Sequence, residues 1–280
     1  MDGGCAQLRI SDRIGRSVLA VLAWSVIAFL LLPVVTVIPM SFNGAAIFEV
    51  IPSKPSLEQY RRLLASPEWM DVLWRSVQIA LIVTILSTTL GTLAASAVSR
   101  MAARRRAAIE AVFLAPQIVP SVVIAASAYF LFARFAMVGT TTGIVIMHTL
   151  LALPFVVILM GSRLQSLSPE LSQASASLGG GPVRTFLRVI VPQTGTALAG
   201  SALLAFHVSF DEVVLALFLS GARNKTLPVK LWDAILFEVT PMLPAISTLV
   251  VVIPLVIMVP LVIARWSSAS MRTRNEASGP

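Results

Sequence analysis

The sequence predicts an all-α, polytopic membrane protein with six transmembrane helices. Of its 280 residues, 57% are hydrophobic and only 12% are charged, whereas a soluble domain has about 45–50% apolar and about 25% charged residues. So few charged side chains could not cover the surface of a soluble fold. A disordered chain is also excluded, because disordered chains are polar and highly charged. Lipid must therefore be the solvent for much of the chain.

Six blocks of mainly apolar residues are each long enough to cross the hydrocarbon core, which is ~30 Å thick and needs about 20 helical residues. Pro33, Pro154 and Pro254 lie inside three of these blocks, which membrane helices tolerate where neighbours satisfy the freed carbonyl groups. The six predicted spans are residues 17–40, 72–99, 109–135, 143–162, 195–220 and 243–264.

The basic residues predict which side of the membrane each connection faces. Counted with the adjoining ends of the spans, the N-terminal arm, the second and fourth connections and the C-terminal tail together carry 13 basic and 5 acidic residues. The opposite side carries 8 basic and 6 acidic residues, so the net charges are +8 and +2. By the positive-inside rule both termini are cytoplasmic. The predicted organisation is an arm over residues 1–16, a six-helix transmembrane domain over 17–264 and a tail over 265–280.

The same counts exclude several kinds of site. The arginines are scattered between apolar blocks rather than gathered on one polar face, which argues against a nucleic-acid partner. A single cysteine, Cys5, and two histidines cannot form an internal disulfide or a zinc site of the usual composition. We expect no metal, cofactor or catalytic residue on this chain.

The first external connection predicts a helix lying at the membrane interface. Residues 56–75 begin with Ser56 after a proline and carry apolar residues at helical spacing, with charged residues such as Glu58 and Arg62 between them. Such an amphipathic pattern is typical of a helix lying in the interface.

The cytoplasmic connection over residues 163–193 predicts two short helices hinged at glycine. Ser168 suits the N-cap, Pro169 the first helical position, and the Glu170 carboxylate the positive helix start. Three glycines over residues 179–181 then permit backbone angles that end the helix.

The second helix of this loop is amphipathic, with Arg184 and Arg188 among apolar residues, and Pro192 is expected to end it. Its apolar residues are Phe186, Leu187, Val189 and Ile190. Small residues on the first helix would let another protein's backbone approach closely. A docking surface and a hairpin lying on lipid headgroups are equally compatible with this pattern.

Gln173-Ala174-Ser175, then Gly179 and Val189-x-Val191-Pro192 resemble the EAA loop of ABC importer permeases (Glu-Ala-Ala, three residues, Gly, nine residues, Ile-x-Leu-Pro). The spacing agrees throughout; Gln replaces Glu, Ser replaces the second Ala, and Val replaces Ile and Leu. The resemblance implies a type I importer permease fold in which this loop docks into a cleft of an ATPase subunit. The residues it implicates are Glu170, Gln173, Ala174, Ser175, Gly179, Arg184, Val189, Val191 and Pro192.

Further stretches resemble one subfamily. Ser209-Phe210-Asp211-Glu212-Val213-Val214, the sequence Thr-Leu-Pro-Val over residues 226–229, and Ser-Phe-Asn over 41–43 are similar to the second permease subunit of spermidine/putrescine importers. The resemblance implies polyamine cargo, although relatives that move opines, other amines or chelated iron share much of the pattern. It also implies an ATPase dimer that carries ATP and Mg²⁺, a second and different permease chain, and an external substrate-binding protein.

Asp211 and Glu212 lie inside the fifth predicted span. An acid at the centre of a membrane helix costs about 2.5–3.5 kcal/mol on insertion scales, so these two should not face lipid. We predict that Ser209, Phe210, Asp211 and Glu212 contribute to a translocation path that attracts a cation. The alternative is a structural role, such as a salt bridge to Arg75, to Arg134 or to a partner chain.

Other function classes fit less well. The three lysines, Lys54, Lys225 and Lys230, do not follow glycine, so the chain has no P-loop and its energy must come from a separate ATPase. An intramembrane serine hydrolase using Ser127 and His148 would lack the usual glycine-flanked serine. A secondary transporter is the stronger rival, but six spans without a visible repeat are unusual for one. We expect an inner-membrane, non-catalytic permease subunit.

Overall fold

A computed structural model describes residues 3–44 and 49–257 of the chain, with side chains from Ser17 onward. The described residues are almost entirely helical, and the only β pairing among them is one bridge between Asn43 and Pro55. The predicted all-α fold class is therefore confirmed.

Thirteen α-helices are described. In chain order they are α1 Gly3–Met40, α2 Glu58–Ala65, α3 Pro67–Val98, α4 Ala103–Ile118, α5 Ser121–Ala133, α6 Thr141–Gln165, α7 Pro169–Ser177, α8 Pro182–Thr185, α9 Val191–Gln193, α10 Gly195–Phe210, α11 Val214–Leu219, α12 Leu227–Phe237 and α13 Leu243–Ile257. A π-helical turn, Phe186–Ile190, joins α8 to α9.

Three of the predicted spans are single helices that are long and apolar enough to cross a membrane: Ser17–Met40, Pro67–Val98 and Thr141–Gln165. The third predicted span consists of α4 and α5, which meet at 92°. The fifth is broken after Phe210, and the sixth is described only as far as Ile257. The predicted tail over residues 265–280 lies outside the described residues.

Proline explains two of the differences from prediction. Val119 is extended at φ −78° and ψ 132° because it precedes Pro120, which disfavours the helical region for the residue before it. This divides the predicted third span. The predicted interfacial helix over 56–75 is likewise two helices, since Ser66 is extended before Pro67 and α3 begins there.

The chain divides into two compact units, which we describe separately. The first contains residues up to Ala65 together with Val239–Thr248. Within it, the Tyr60 hydroxyl donates to Ser41 Oγ at 2.7 Å, and the Tyr60 and Phe42 rings lie 5.5 Å apart. The Ser56 amide donates to the Phe42 carbonyl at 2.7 Å. The residues that follow the first span thus anchor the loop that leads into α2.

The second unit, Ser66–Glu238 with residues from Leu249 onward, contains the main apolar core. This core is formed where α3, α6 and α10 pack together, and Ile79, Ile144 and Ala205 are completely buried there. Gly91 of α3 lies so close to Val156 of α6 that an added Cβ would be 2.7 Å from the valine Cβ. A small residue at this position lets the two helices approach, as in other membrane helix pairs.

The segment that leads into α12 is fixed to the first turns of α3. The Leu227 amide donates to Ser76 Oγ at 2.6 Å, and Lys230 pairs with Glu68 at 2.5 Å. The Arg75 guanidinium donates to the Arg223 carbonyl. These contacts hold residues 223–230 against one end of the helical core.

Candidate functional site

Two interruptions of the helical chain carry the residues that the sequence implicates: the hairpin over residues 163–193 and the break over 211–213. We call these the coupling hairpin and the acidic break. In the coupling hairpin, α7 begins as predicted. The Ser168 hydroxyl accepts a hydrogen bond from the Glu170 amide at 3.3 Å, and Pro169 occupies the first turn, where its missing N–H costs nothing.

The turn between the two hairpin helices depends on two of the three glycines. Gly179 has φ +75°, the left-handed conformation that other residues disfavour. Its amide donates to the Ala176 carbonyl at 2.9 Å, and the Gly180 amide donates to the Ser175 carbonyl at 2.8 Å, the two bonds of a Schellman C-cap. A Cβ on Gly180 would lie 2.7 Å from that carbonyl oxygen, whereas one on Gly181 would meet nothing within 4 Å.

The second hairpin helix runs from Pro182 to Gln193 and does not end before Pro192 as predicted. In the π-helical turn the Val191 amide donates to the carbonyl of Phe186, five residues earlier. The next residue, Pro192, has no amide hydrogen to donate. The helix ends at Thr194, whose buried hydroxyl donates to the carbonyls of Ile190 and Val191, each at 3.1 Å. The chain then turns by 80° into α10.

Side-chain hydrogen bonds hold the hairpin at both ends. Near the glycine turn, the Ser175 and Thr185 hydroxyls lie 2.8 Å apart and join the two helices. At the base, Arg163 Nη2 donates to the Gln193 carbonyl at 3.0 Å, so a cation caps the C-terminal end of the second helix. Arg163 belongs to α6, and Gln193 lies two residues before α10, so this bond ties the base of the hairpin to both helices.

Most of the side chains that resemble the EAA pattern are accessible. Glu170, Gln173, Ala174, Arg184 and Pro192 are exposed. Three further side chains of the set are half-buried: Ser175, Val189 and Val191. The structure thus presents the first hairpin helix as an open surface supported by the second.

The acidic break lies between α10 and α11. Asp211 has φ −96° and ψ 0°, and its amide makes the last backbone bond of α10, to the His207 carbonyl at 3.0 Å. The Glu212 carboxylate accepts the Leu215 amide at 2.9 Å and so satisfies a free N–H at the start of α11. The fifth predicted span is therefore not one continuous helix.

Two residues predicted for the path face the core of the chain instead. Ser209 is 5% exposed and Phe210 is 1% exposed. Ser209 Oγ lies 3.0 Å from Nδ1 of the fully buried His148, and the Phe210 ring stacks on Phe206 with 5.5 Å between centroids. The Ser209–His148 contact joins the end of α10 to α6, whereas the Phe206–Phe210 stacking lies within α10. Both side chains are therefore packed within this chain next to the break.

Asp211 is the member of the set that faces outward. Its side chain is exposed, as is that of His207 one turn earlier, while Glu212 is half-buried. Within the described chain neither acid has an ion-pair partner. In particular, Arg75 hydrogen-bonds the Arg223 carbonyl instead. The intramolecular salt bridge that we considered as an alternative is therefore absent from the described residues.

Three tryptophans, Trp69, Trp74 and Trp232, differ in whether their rings are accessible to a cation from outside the chain. Trp69 is 6% exposed, and the ammonium group of Lys230 lies 5.5 Å from the centre of its ring. That face is thus occupied by a cation of the chain itself. Trp74 and Trp232 remain exposed, as interfacial tryptophans commonly are.

Sequence reasoning missed three residues that hold these regions in place: Thr185, Gln193 and Ser209 in its role as partner of His148. Each contact joins residues at least ten positions apart, and no short spacing pattern marks such a pair. The sequence could indicate only that an intramembrane histidine requires a hydrogen-bonding partner.

Comparison with known families then identifies the group of proteins to which the chain is related. Residues 87–273 match the family described as binding-protein-dependent transport system inner membrane component. The chain is 29% identical to a spermidine/putrescine transport system permease protein, PotC, of Haemophilus influenzae, an alignment that covers 82% of this chain and 89% of the relative. It is also 29% identical to the putrescine transport system permease protein PotI of Escherichia coli, over 79% and 81% of the two chains.

A solved structure supports the same fold. A bacterial ABC transporter involved in the import of the acidic polysaccharide alginate matches with a TM-score of 0.67 at 21% identity, covering 91% of this chain and 97% of the other. The chain belongs to the family of binding-protein-dependent transport system inner membrane components. It is a permease subunit of an ABC importer, as the sequence predicted.

Proposed function

We propose that this permease subunit imports a polyamine such as spermidine or putrescine, or a related small organic cation. Two observations support this cargo. PotC and PotI, relatives that align over most of the chain, are named as permeases for these amines, and the acidic break presents a carboxylate that the described chain leaves unpaired. Polyamines are polycations, so a carboxylate is their natural counter-ion.

Within the path, we assign the principal contact to Asp211 and a supporting role to Glu212. The Asp211 side chain is exposed, whereas the Glu212 carboxylate is held by the Leu215 amide. Because a charged group in the membrane is costly unless it faces a partner or a water-filled cavity, the exposed acid should face the lumen shared with a second permease. Ser209 contributes through His148, by fixing the end of α10.

We further propose that the coupling hairpin docks on a separate ATPase and carries its movement to the membrane helices. The hairpin is bonded internally at its tip and through Arg163 at its base, so it would move as a rigid body. The exposed surface that would contact the ATPase includes Gln173 and Ala174, and the departure from Glu to Gln removes one ionic contact without changing the docking role.

The proposed assembly contains an ATPase dimer, a second and different permease and an external substrate-binding protein. ATP and Mg²⁺ would be bound by the ATPase chains, and this chain would catalyse no reaction and carry no cofactor. Both termini would lie in the cytoplasm, as the distribution of basic residues predicts. Cargo of another kind, an opine, another amine or chelated iron, remains the alternative.

The test is uptake of labelled spermidine and putrescine by cells with and without the gene, with a complemented control. We expect uptake to be lost on deletion and restored by the gene. Because a second polyamine system could mask the loss, the strain should lack other polyamine importers. Unchanged uptake in that strain would contradict polyamine cargo and leave the permease assignment intact.

A further inference from the structure

Arg100 borders three neighbouring concave surfaces near the end of α3. The largest has a volume of about 810 Å³ and lies between the end of α3 and the coupling hairpin. The second, of about 650 Å³, is a groove between α3 and the second hairpin helix. The third, of about 590 Å³, is bordered by the start of α4. An arginine at the junction of three cavities marks this place as a candidate binding site.

The first cavity is the most polar of the three and is positively charged, and we call it the polar cavity. Arg100 and Arg106 line it together with three side-chain amides and several hydroxyl groups. The described chain has ion pairs at Glu58–Arg62, Lys225–Asp233 and Glu68–Lys230. Neither lining arginine takes part in them, so both guanidinium groups are available to an anion from outside the chain. The amides belong to Gln165, Gln173 and Gln193.

The groove beside it is mostly apolar and continuous with the first cavity, since Ser96, Arg100 and Pro182 line both. Along α3 it extends from Thr88 to Arg100, about 18 Å at 1.5 Å per residue. This is close to one half of a hydrocarbon core of ~30 Å. The groove is therefore long enough to hold much of one acyl chain of a single leaflet. Its apolar lining consists of Leu93, Ala97, Val183, Phe186, Leu187, Val191 and Leu198.

We propose that this composite surface binds one anionic phospholipid of the cytoplasmic leaflet. The phosphate would lie in the polar cavity against Arg100 and Arg106, and one acyl chain would lie in the groove. A soluble anion would complement only the polar cavity, whereas a phospholipid complements both the polar cavity and the apolar groove that continues from it. Basic pockets between membrane helices on the cytoplasmic side are known to hold anionic headgroups.

The position of the site gives the lipid a role in coupling. Gln173 and Pro182 line the polar cavity and Val191 lines the groove, so a bound lipid would touch both hairpin helices as well as α3. It would fill the space between the hairpin and the membrane domain and restrict their relative movement. Transport should therefore depend on the anionic lipid content of the membrane.

The first experiment measures how much phosphatidylglycerol remains bound to the purified transporter in phosphatidylcholine nanodiscs, using spin-labelled phosphatidylglycerol as the probe. Arg100→Gln/Arg106→Gln should weaken retention about 25-fold, because each arginine near an anionic surface contributes a factor of about five. The matched control is Arg104→Gln/Arg105→Gln, which removes the same charge from the same connection but leaves the polar cavity lining intact.

The outcomes separate the explanations. Equal losses in the two double variants would show diffuse attraction of lipid by the connection and would overturn the site. Full retention in the Arg100/Arg106 variant, with the ATPase subunits lost from the complex, would assign the arginines to a protein contact. Binding of inorganic phosphate alone as strongly as the phospholipid would assign a soluble anion instead.

A second pair of variants tests the acyl groove. Leu93 and Leu90 are both about half exposed on α3, at 50% and 49%, but only Leu93 lines the groove. Leu93→Trp should fill the groove and lower phosphatidylglycerol retention severalfold, while Leu90→Trp should leave it unchanged. Unchanged retention in Leu93→Trp would overturn the acyl-chain assignment.

Discussion

The coupling hairpin and the acidic break interrupt the helical chain in different ways. In the hairpin, the interrupted backbone and side chains find partners within the same element: Ser168 caps α7, the Gly180 amide closes its end, and Ser175 meets Thr185. In the break, Glu212 caps α11 but the Asp211 carboxylate faces away from the chain without an ion-pair partner among the described residues. These hydrogen-bonding groups of the hairpin therefore find partners within the hairpin, whereas the Asp211 carboxylate of the break has no ion-pair partner among the described residues.

This difference indicates what each region requires from the rest of a transporter. A complete, internally bonded element can transmit a displacement without changing shape, which is what a mechanical coupling element must do. An unpaired carboxylate at membrane depth is tolerated only where another chain, water or a cargo molecule meets it. The roles of the two regions can be tested separately, with substitutions that change one region and leave the other intact.

The largest effect should come from Gly180→Val. A Cβ at this position would lie 2.7 Å from the Ser175 carbonyl oxygen, so the turn must open and the Ser175–Thr185 contact is strained. We expect substrate-stimulated ATP hydrolysis by the reconstituted transporter to fall about tenfold or more, with normal membrane insertion. The matched control is Gly181→Val, where nothing lies within 4 Å. Equal loss in both variants would contradict a rigid-hairpin mechanism.

Asp211→Asn should have the next largest effect. Charge-assisted hydrogen bonds contribute about 1.5–3 kcal/mol, so removing the charge should raise the KM for polyamine uptake about tenfold or more. Glu212→Gln is the comparison, because its amide oxygen can still accept the Leu215 amide and should preserve the break. We expect uptake within about twofold of the parent there. A larger loss of uptake in Glu212→Gln than in Asp211→Asn would assign the cargo contact to Glu212.

The contrast between the two regions also shows what sequence can reveal. The hairpin was predictable because its determinants are local: Ser168, Pro169 and Gly179 each set the backbone within a few residues. The break was not, because residues 201–210, which precede it, contain no proline or glycine. The side-chain contact next to the break joins Ser209 to His148, 61 residues away in sequence. Pro116 lies inside α4 whereas Pro120 divides the third span, and the sequence alone does not distinguish the two prolines.

Ser209→Ala tests that distant contact, and its effect should be smaller. It leaves Nδ1 of the fully buried His148 without its partner, which costs about 1–3 kcal/mol. We expect a lower Tm for the purified protein and a modest loss of uptake. Ser201→Ala is the matched control, since Ser201 is equally buried on α10 but donates to the Ala197 carbonyl of its own helix. A similar Tm for the two variants would mean that the His148 contact does not hold the break.

The smallest effect should come from Gln173→Glu, which restores the acid found in the resembling family pattern. Gln173 is exposed on α7, and its carbonyl accepts the Ser177 hydroxyl at 3.0 Å, a bond that does not involve the side chain. Gln173 also lines the proposed lipid cavity, so the comparison is made in phosphatidylcholine nanodiscs, which contain no anionic lipid. The hairpin should keep its shape, and any change measured there must come from contact with the ATPase. An exposed ion pair contributes about 0.2–1 kcal/mol, and we expect coupled ATP hydrolysis to change by less than about fivefold. A larger loss would mean that the partner ATPase is adapted to a neutral residue at this position, which places Gln173 inside the interface rather than at its rim.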